Sequence, residues 1–231
     1  MSFSTAEGIG ALRRERLRSA RLYFVCDAHP GDQDPEPLLK AALDGGVDIV
    51  QLREKSGDRR VTDRAAQTFR RLCDTYGVPF MVNDDPELAV SCRADGVHIG
   101  QDDMSVEDAR SIVGNDCLIG LSTHSEEQIL AAHQAEHKPD HISVGPVWET
   151  PTKPGRPAVG LELVNYAASH ATLPFFAIGG IDPNNVGEVL TAGARRICVV
   201  RAIRNADDPT AVAASLRRAF AAVGAEVAPG G

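Results

Sequence analysis

The 231-residue sequence holds no apolar run approaching the roughly 20 residues that a helical membrane span requires, so no spanning segment is expected. It also lacks a basic excess. Twenty-four Lys and Arg stand against 32 Asp and Glu, a formal net charge of −8, which argues against the broad cationic face that binds nucleic acid. The five cysteines (Cys26, Cys73, Cys92, Cys117, Cys198) are odd in number, scattered, and never in a C-x-x-C arrangement. They read as reduced, buried small hydrophobes rather than a disulfide framework. Residues 1–20 carry Arg13, Arg14, Arg16 and Arg18 but no apolar signal core, while Glu7 and Glu15 count against an organelle transit peptide. The expectation is a cytoplasmic protein with a polar extension over 1–20, frayed at first and then leading into a short helix. No composition shift marks a second domain, so residues 21–225 are expected to form one catalytic domain.

What is present is a strict alternation of strand-like and helix-like segments. Short β-branched runs fall at Leu22–Cys26, Val47–Leu52, Pro79–Asn83, Gly96–Ile99, Cys117–Leu121, His141–Val144, Pro174–Ile178 and Ile197–Val200. They resemble strands buried on both faces, as in a parallel sheet. Helical patterns follow each, at Glu36–Leu43, Thr62–Tyr76, Glu87–Cys92, Val106–Val113, Ser125–His133, Leu161–Ser169, Asn184–Ala192 and Thr210–Val223. Asp182-Pro183 and Asp208-Pro209 offer a capping side chain followed by proline, and Gly45, Gly77, Gly114 and Gly193 fall where helices should end. Eight of each element predict a closed (β/α)8 TIM barrel. The rival is a doubly wound open sheet, which usually carries a Gly-rich turn after its first strand; Asp27-Ala28-His29-Pro30 is not one.

Barrel enzymes hold their chemistry at the C-terminal ends of the strands, and unusual polar residues cluster at those ends here. After the second strand, alternation puts Gln51, Arg53 and Lys55 on one side, two cations and an amide facing the mouth. The third and fourth strand ends carry Asn83-Asp84-Asp85 and Gly100-Gln101-Asp102-Asp103. Carboxylates on neighbouring strand ends suit Mg²⁺, with substrate phosphate and water completing its octahedron. Asp85 precedes a proline and reads as a helix cap, and Asp102 as a solvated turn residue, which leaves Asp84 and Asp103 as the metal candidates. His98 reads as a packed or hydrogen-bonded barrel residue. The hydroxyl of Ser122 is placed to meet a phosphate or leaving-group oxygen, while Ser125 or His124 lies nearer the next helix cap. The sixth loop, 145–156, mixes hydroxyls, cations, prolines and glycines over an unusual length, as lids and binding loops do. Gly179-Gly180 and Val200-Arg201 follow strands seven and eight, the usual phosphate site of this fold.

Together these pieces resemble the thiamine phosphate synthase family, from about Leu22 to Ile203. The matching motifs are Gln-Leu-Arg-Glu-Lys at 51–55, Asn-Asp at 83–84, Gly-Val-His-Ile-Gly-Gln-Asp-Asp at 96–103, Ser-Thr-His at 122–124, Gly-Pro-Val…Thr-x-Thr-Lys at 145–153 and Ile-Gly-Gly-Ile at 178–181. The resemblance implies that hydroxymethylpyrimidine diphosphate and a thiazole phosphate are joined to thiamine phosphate, with Mg²⁺ on Asp84 and Asp103. It implies that the run from Gln51 through Leu52, Arg53, Glu54 and Lys55, with Asn83, Ser122 and Lys153, holds the pyrimidine diphosphate. Of these, Arg53, Ser122 and Lys153 would act on the leaving diphosphate. Thr150, Pro151, Thr152, Gly180, Val200 and Arg201 would lie on the thiazole phosphate. The partners implied are small molecules, neither nucleic acid nor membrane, and a homo-oligomer is compatible with the sequence. The chain departs from the family's pattern at Arg196, where a glycine is common nearby, and at Arg201, where serine is common. Two alternatives share the fold: a thiazole tautomerase, whose branch tends to have histidine where this chain has Pro146, and a phosphate-binding regulatory barrel, which would not need the Asp84–Asp103 pair.

Overall fold

A short strand presents alternate side chains to opposite faces, so eight apolar strands need a core on both sides, and closing the sheet on itself supplies one inside and one outside. The computed structural model, which describes residues 8–54, 58–150, 155 and 157–226, has this closed form. β1 (Leu22–Cys26), β2 (Ile49–Leu52), β3 (Phe80–Asn83), β4 (Gly96–Ile99), β5 (Leu118–Thr123), β6 (His141–Val144), β7 (Phe175–Ile178) and β8 (Ile197–Val199) run in sequence order around a barrel. Each strand pairs in parallel with the next, and β8 returns to β1. Leu22, Phe24, Val50, Leu52, Val82 and Val97 join the outer core against the helices. Tyr23, Val25, Ile49, Met81, Leu118, Phe176 and Cys198 fill the interior.

The first helix, α1 (Gly8–Ser19), precedes the barrel and closes its N-terminal mouth. Leu17 and Ala20 are buried among the interior residues. Gly10 lets α1 approach the turn before β5, since a Cβ there would meet Asp116 Oδ1 at 2.6 Å. The connecting helices are α2 (Pro35–Asp44), α3 (Arg59–Tyr76), α4 (Pro86–Ser91), α5 (Val106–Val113), α6 (Glu126–Gln134), α7 (Gly160–His170) and α8 (Val186–Thr191). A single turn, α9 (Arg201–Arg204), follows β8 directly, and α10 (Pro209–Glu226) ends the described chain. No helix among the described residues is long and apolar enough to cross a membrane. All five cysteines are free thiols. Burial pushes the Cys73 thiol up to about 12 and Cys26 higher still, so both remain protonated small hydrophobes.

The strand ladder meets the expected segments, with two instructive differences. The fifth strand extends through Thr123, so Ser122 lies within it rather than after it. Asp85, Ser125 and Asp208 accept from backbone amides at helix starts, as their positions predict. Asp182-Pro183 does not open a helix: Asp182 accepts from Asn184 N, and α8 begins only after Asn185. There the capping side chain closes a local turn instead, which competes with the helix for the same amides.

The strand starts share one device. Asp48, Asp95 and Asp140 each stand one residue before an even-numbered strand. Each carboxylate reaches sideways to the first amides of the preceding odd strand, at Leu22 N (2.9 Å), Phe80 N (2.8 Å) and Ile119 N (2.9 Å). Each also gathers arginines: Arg217 on Asp48, Arg13 and Arg70 on Asp95, Arg14 and Arg110 on Asp140. The arginine-rich N-terminal extension therefore forms part of the barrel's closure, tying α1 to β3–β6. Before β8 the pattern changes sign, and Arg196 donates to Arg18 O instead. Replacing Asp140 by Ala strands two part-buried guanidiniums and an amide. It should lower unfolding stability by about 2–4 kcal/mol in urea titration, more than the conservative Asp140→Asn.

Candidate active site

At the opposite end, the strand C-termini surround a cavity of about 860 Å³. Of the residues singled out from sequence, Gln51, Arg53, Asn83, Asp84 and Asp103 line it from β2 to β4. Ser122, Thr150, Gly180, Val200 and Arg201 line it from β5 to β8. Leu52 does not: its side chain is 1% exposed in the layer between barrel and helices, as alternation requires between two inward residues. Glu54 is likewise absent from the lining among the described residues. Lys55, Pro151, Thr152 and Lys153 lie outside the described residues.

Strand register decides which side chains meet. Asn83 pairs with His98, His98 with Gly120, and Ser122 with Ser143. His98 Nε2 lies 3.0 Å from Ser122 Oγ and 3.4 Å from Ser143 Oγ, so the expected hydrogen-bonded barrel histidine fixes the Ser122 hydroxyl. Gln101 Nε2 donates to Ser122 O at 2.6 Å, which anchors the loop after β4 to β5. Gly120 is obligatory between its neighbours, because a Cβ there would sit 2.4 Å from ring nitrogens of both His98 and His141.

The two carboxylates proposed for a metal stand on adjacent strand ends. Asp84 has a left-handed backbone (φ 61°), uncommon for a residue with a side chain, and its amide is held by His98 O at 2.8 Å. Asp103 accepts from Gly100 N through Oδ2 at 2.7 Å, which orients the carboxylate at the mouth. No group of three or more His, Cys, Asp or Glu among the described residues is arranged to cage a metal. Two carboxylates with open positions match the donor set of Mg²⁺, which keeps waters and substrate phosphate in its shell.

The far side is built by the sixth and seventh loops together. Val147 N donates to Ile178 O (2.9 Å) and Trp148 N to Gly179 O (3.1 Å). Gly179 (φ 105°) and Gly180 (φ 71°) take left-handed conformations. A Cβ on the first would meet Pro146 Cα at 2.5 Å, and on the second Trp148 Cβ at 2.8 Å. The glycine pair thus serves the packing of loop on loop in addition to any approach of ligand to backbone. Arg201 opens α9 with an exposed side chain, and Arg204 pairs with Asp27 at 2.5 Å across the rim. His124, from the Ser-Thr-His motif, also lines the cavity, as do Tyr23, Ser143 and Asn205, which carried no sequence signal. Tyr23 and Ser143 sit inside strand runs, and only strand phase separates inward from outward there.

A family model of thiamine monophosphate synthase matches residues 22–203. The thiamine-phosphate synthase of Thermobifida fusca is 50% identical over 213 residues, covering 92% of this chain and 97% of that protein. That of Thermus thermophilus is 50% identical over 200 residues, covering 85% and 95%. A solved thiamine phosphate pyrophosphorylase from Pyrococcus furiosus matches with a TM-score of 0.80 at 30% identity, over 91% of this chain and 98% of that one.

Beneath the cavity, His141 is fully buried, and both its ring nitrogens lack a hydrogen-bond partner among the described residues. It packs on Phe176 (5.5 Å), His98 (5.6 Å) and Tyr23 (6.1 Å). Burial holds its pKa down to about 4, with Arg196 adding to the shift and Asp140 opposing it. The unfolded imidazole takes up a proton near pH 6.5, and the folded one only near 4, so stability is lost as pH falls through that window. Between pH 7.5 and pH 5 this contributes about 2 kcal/mol of lost stability. Urea titrations at the two pH values should show that much less loss in His141→Leu than in wild type.

Proposed function

Since this chain belongs to the thiamine monophosphate synthase family, we propose that it is a transferase joining hydroxymethylpyrimidine diphosphate to a thiazole phosphate, with thiamine phosphate and pyrophosphate as products. The observation that carries this reading is the 50% identity to a thiamine-phosphate synthase along nearly the whole of both chains. The bond between the pyrimidine's methylene carbon and the diphosphate oxygen breaks, and its electron pair leaves with pyrophosphate. The thiazole nitrogen then gives its lone pair to that carbon. An electron-rich aminopyrimidine supports the developing cation, so the protein needs to position two substrates and balance the leaving charge rather than supply a nucleophile.

The residues fit that division of labour. Gln51, Arg53, Asn83 and Ser122 line the β2–β5 side and are assigned to the pyrimidine diphosphate. Gly180, Val200, Arg201 and Thr150 line the other side and are assigned to the thiazole phosphate. Lys55, Lys153, Pro151 and Thr152 join these sets on the strength of the family resemblance. Asp84 and Asp103 would hold Mg²⁺, which, when bound, neutralises diphosphate charge as the leaving group departs. Arg53 adds a fixed guanidinium to the same charge balance, and Ser122, held by His98, adds a directed hydroxyl. Five free thiols accord with a reducing cytoplasm.

Incubation with both substrates and Mg²⁺ should yield thiamine phosphate by chromatography, and absence of product would overturn the assignment. Asp84→Ala and Asp103→Ala should each lower turnover by at least a hundredfold with the melting temperature little changed. Full activity of both variants after EDTA treatment and Mg²⁺ addition would remove the metal role. Arg201→Ser should raise the Michaelis constant for thiazole phosphate roughly tenfold or more at low salt, since a charge-assisted hydrogen bond is worth about 1.5–3 kcal/mol. An unchanged constant would place the guanidinium away from the phosphate.

A further inference from the structure

Three polar side chains cross the interior from β1 to β3 in single file. The Tyr23 hydroxyl donates to Gln51 Oε1 at 2.7 Å, and Gln51 Nε2 donates to Asn83 Oδ1 at 2.7 Å. Taken singly, each link could run either way, because an amide can turn end for end and a phenol accepts as well as donates. The surroundings of Tyr23 fix the direction. The residue is 2% exposed, with its ring edge-on to Phe176 at 5.3 Å and tilted against His141 at 6.1 Å, so the hydroxyl has a fixed place. If it accepted from the amide, its own buried proton would be left without an acceptor, a loss larger than the bond gained. Burial also holds the phenol well above its ordinary pKa, so the proton stays on.

Tyr23 therefore donates. Gln51 turns its oxygen toward the phenol and its amino group toward Asn83. Asn83 must then give its oxygen to Gln51, which leaves its Nδ2 hydrogens for the cavity that both amides line. The direction set by a residue on β1 thus reaches the cavity wall two strands away.

We propose that Tyr23 is a positioning residue that, acting through Gln51, holds Asn83 as a hydrogen-bond donor toward an acceptor atom of the diphosphate-bearing substrate. This rests on the synthase reading above. The β7 and β8 side, assigned to the other substrate, shares no member of this chain. An Asn83 amide that turns its N–H groups to the cavity also discriminates against analogues presenting a donor at that point, because two opposed N–H groups would be left unpaired.

Tyr23→Phe keeps the ring and its packing and removes only the hydroxyl. With both amides free to turn, the Michaelis constant for the pyrimidine diphosphate should rise roughly tenfold, on the order of one lost buried hydrogen bond. The constant for thiazole phosphate should stay unchanged. A merely structural role would move both alike, or neither, and either result would overturn the proposal. Gln51→Leu gives the second arm: if Tyr23 acts through Gln51, adding Tyr23→Phe to that variant should cost nothing further. A full independent penalty in the double variant would equally overturn it. Wild-type enzyme runs alongside, so a wild type that forms no thiamine phosphate would count against the synthase reading instead.

Discussion

The barrel depends on carboxylates at its closed end. Parallel strands begin with unpaired amides, and eight of them in a ring leave eight such starts to satisfy. Asp48, Asp95 and Asp140 meet this need before three of the four even-numbered strands, each bonding the strand before its own. Because each also holds one or two arginines from surrounding helices, one carboxylate fixes strand stagger and helix position together. These pairs are only partly screened by solvent, so they act with more force than ion pairs on an open surface. With the closed end fixed in this way, the mouth can carry left-handed Asp84 and crowded glycines.

The two ends also differ in electrostatic character. The cavity floor carries a protonated phenol with a neutral imidazole packed against it, both kept uncharged by burial. Above it, Arg53, Asp84, Asp103 and Arg201 bring charge of both signs to the rim. Under the proposed reaction, leaving-group charge would develop at this upper level, beside those charged side chains, and the uncharged floor would give the organic portion of a substrate no competing ion. Such preorganisation favours a departing anion without demanding rearrangement during the reaction.

Much of this was legible in the sequence because both relevant periodicities are strong. Apolar strand runs with polar residues at their last positions announce a parallel barrel and mark its mouth, and ten of the residues chosen on that ground or through the family resemblance line the cavity. Leu52 shows the limit of reading a motif as a block: it lies between Gln51 and Arg53 in the same run, yet the pleat turns it outward. Tyr23 and Ser143 show the converse, since nothing in Leu-Tyr-Phe-Val-Cys or His-Ile-Ser-Val tells which phase faces in until the strands are paired. The Asp182-Pro183 cap failed because a short polar side chain bonds a nearby turn as readily as a helix start. The role of α1 was hidden for another reason. Its arginines have meaning only beside aspartates about 80 and 126 residues away in the chain.

The glycines after β7 carry one more implication. With Val147 and Trp148 hydrogen-bonded to Ile178 and Gly179, and no room for a Cβ between them, the sixth and seventh loops form a single plate. Thr150 and Gly180 stand on that plate, so a substitution that enlarges either glycine would disturb Trp148 and the backbone beside it together. The β6 and β7 sides of the mouth are therefore built as one unit, facing Asn83 and Asp84 across the cavity.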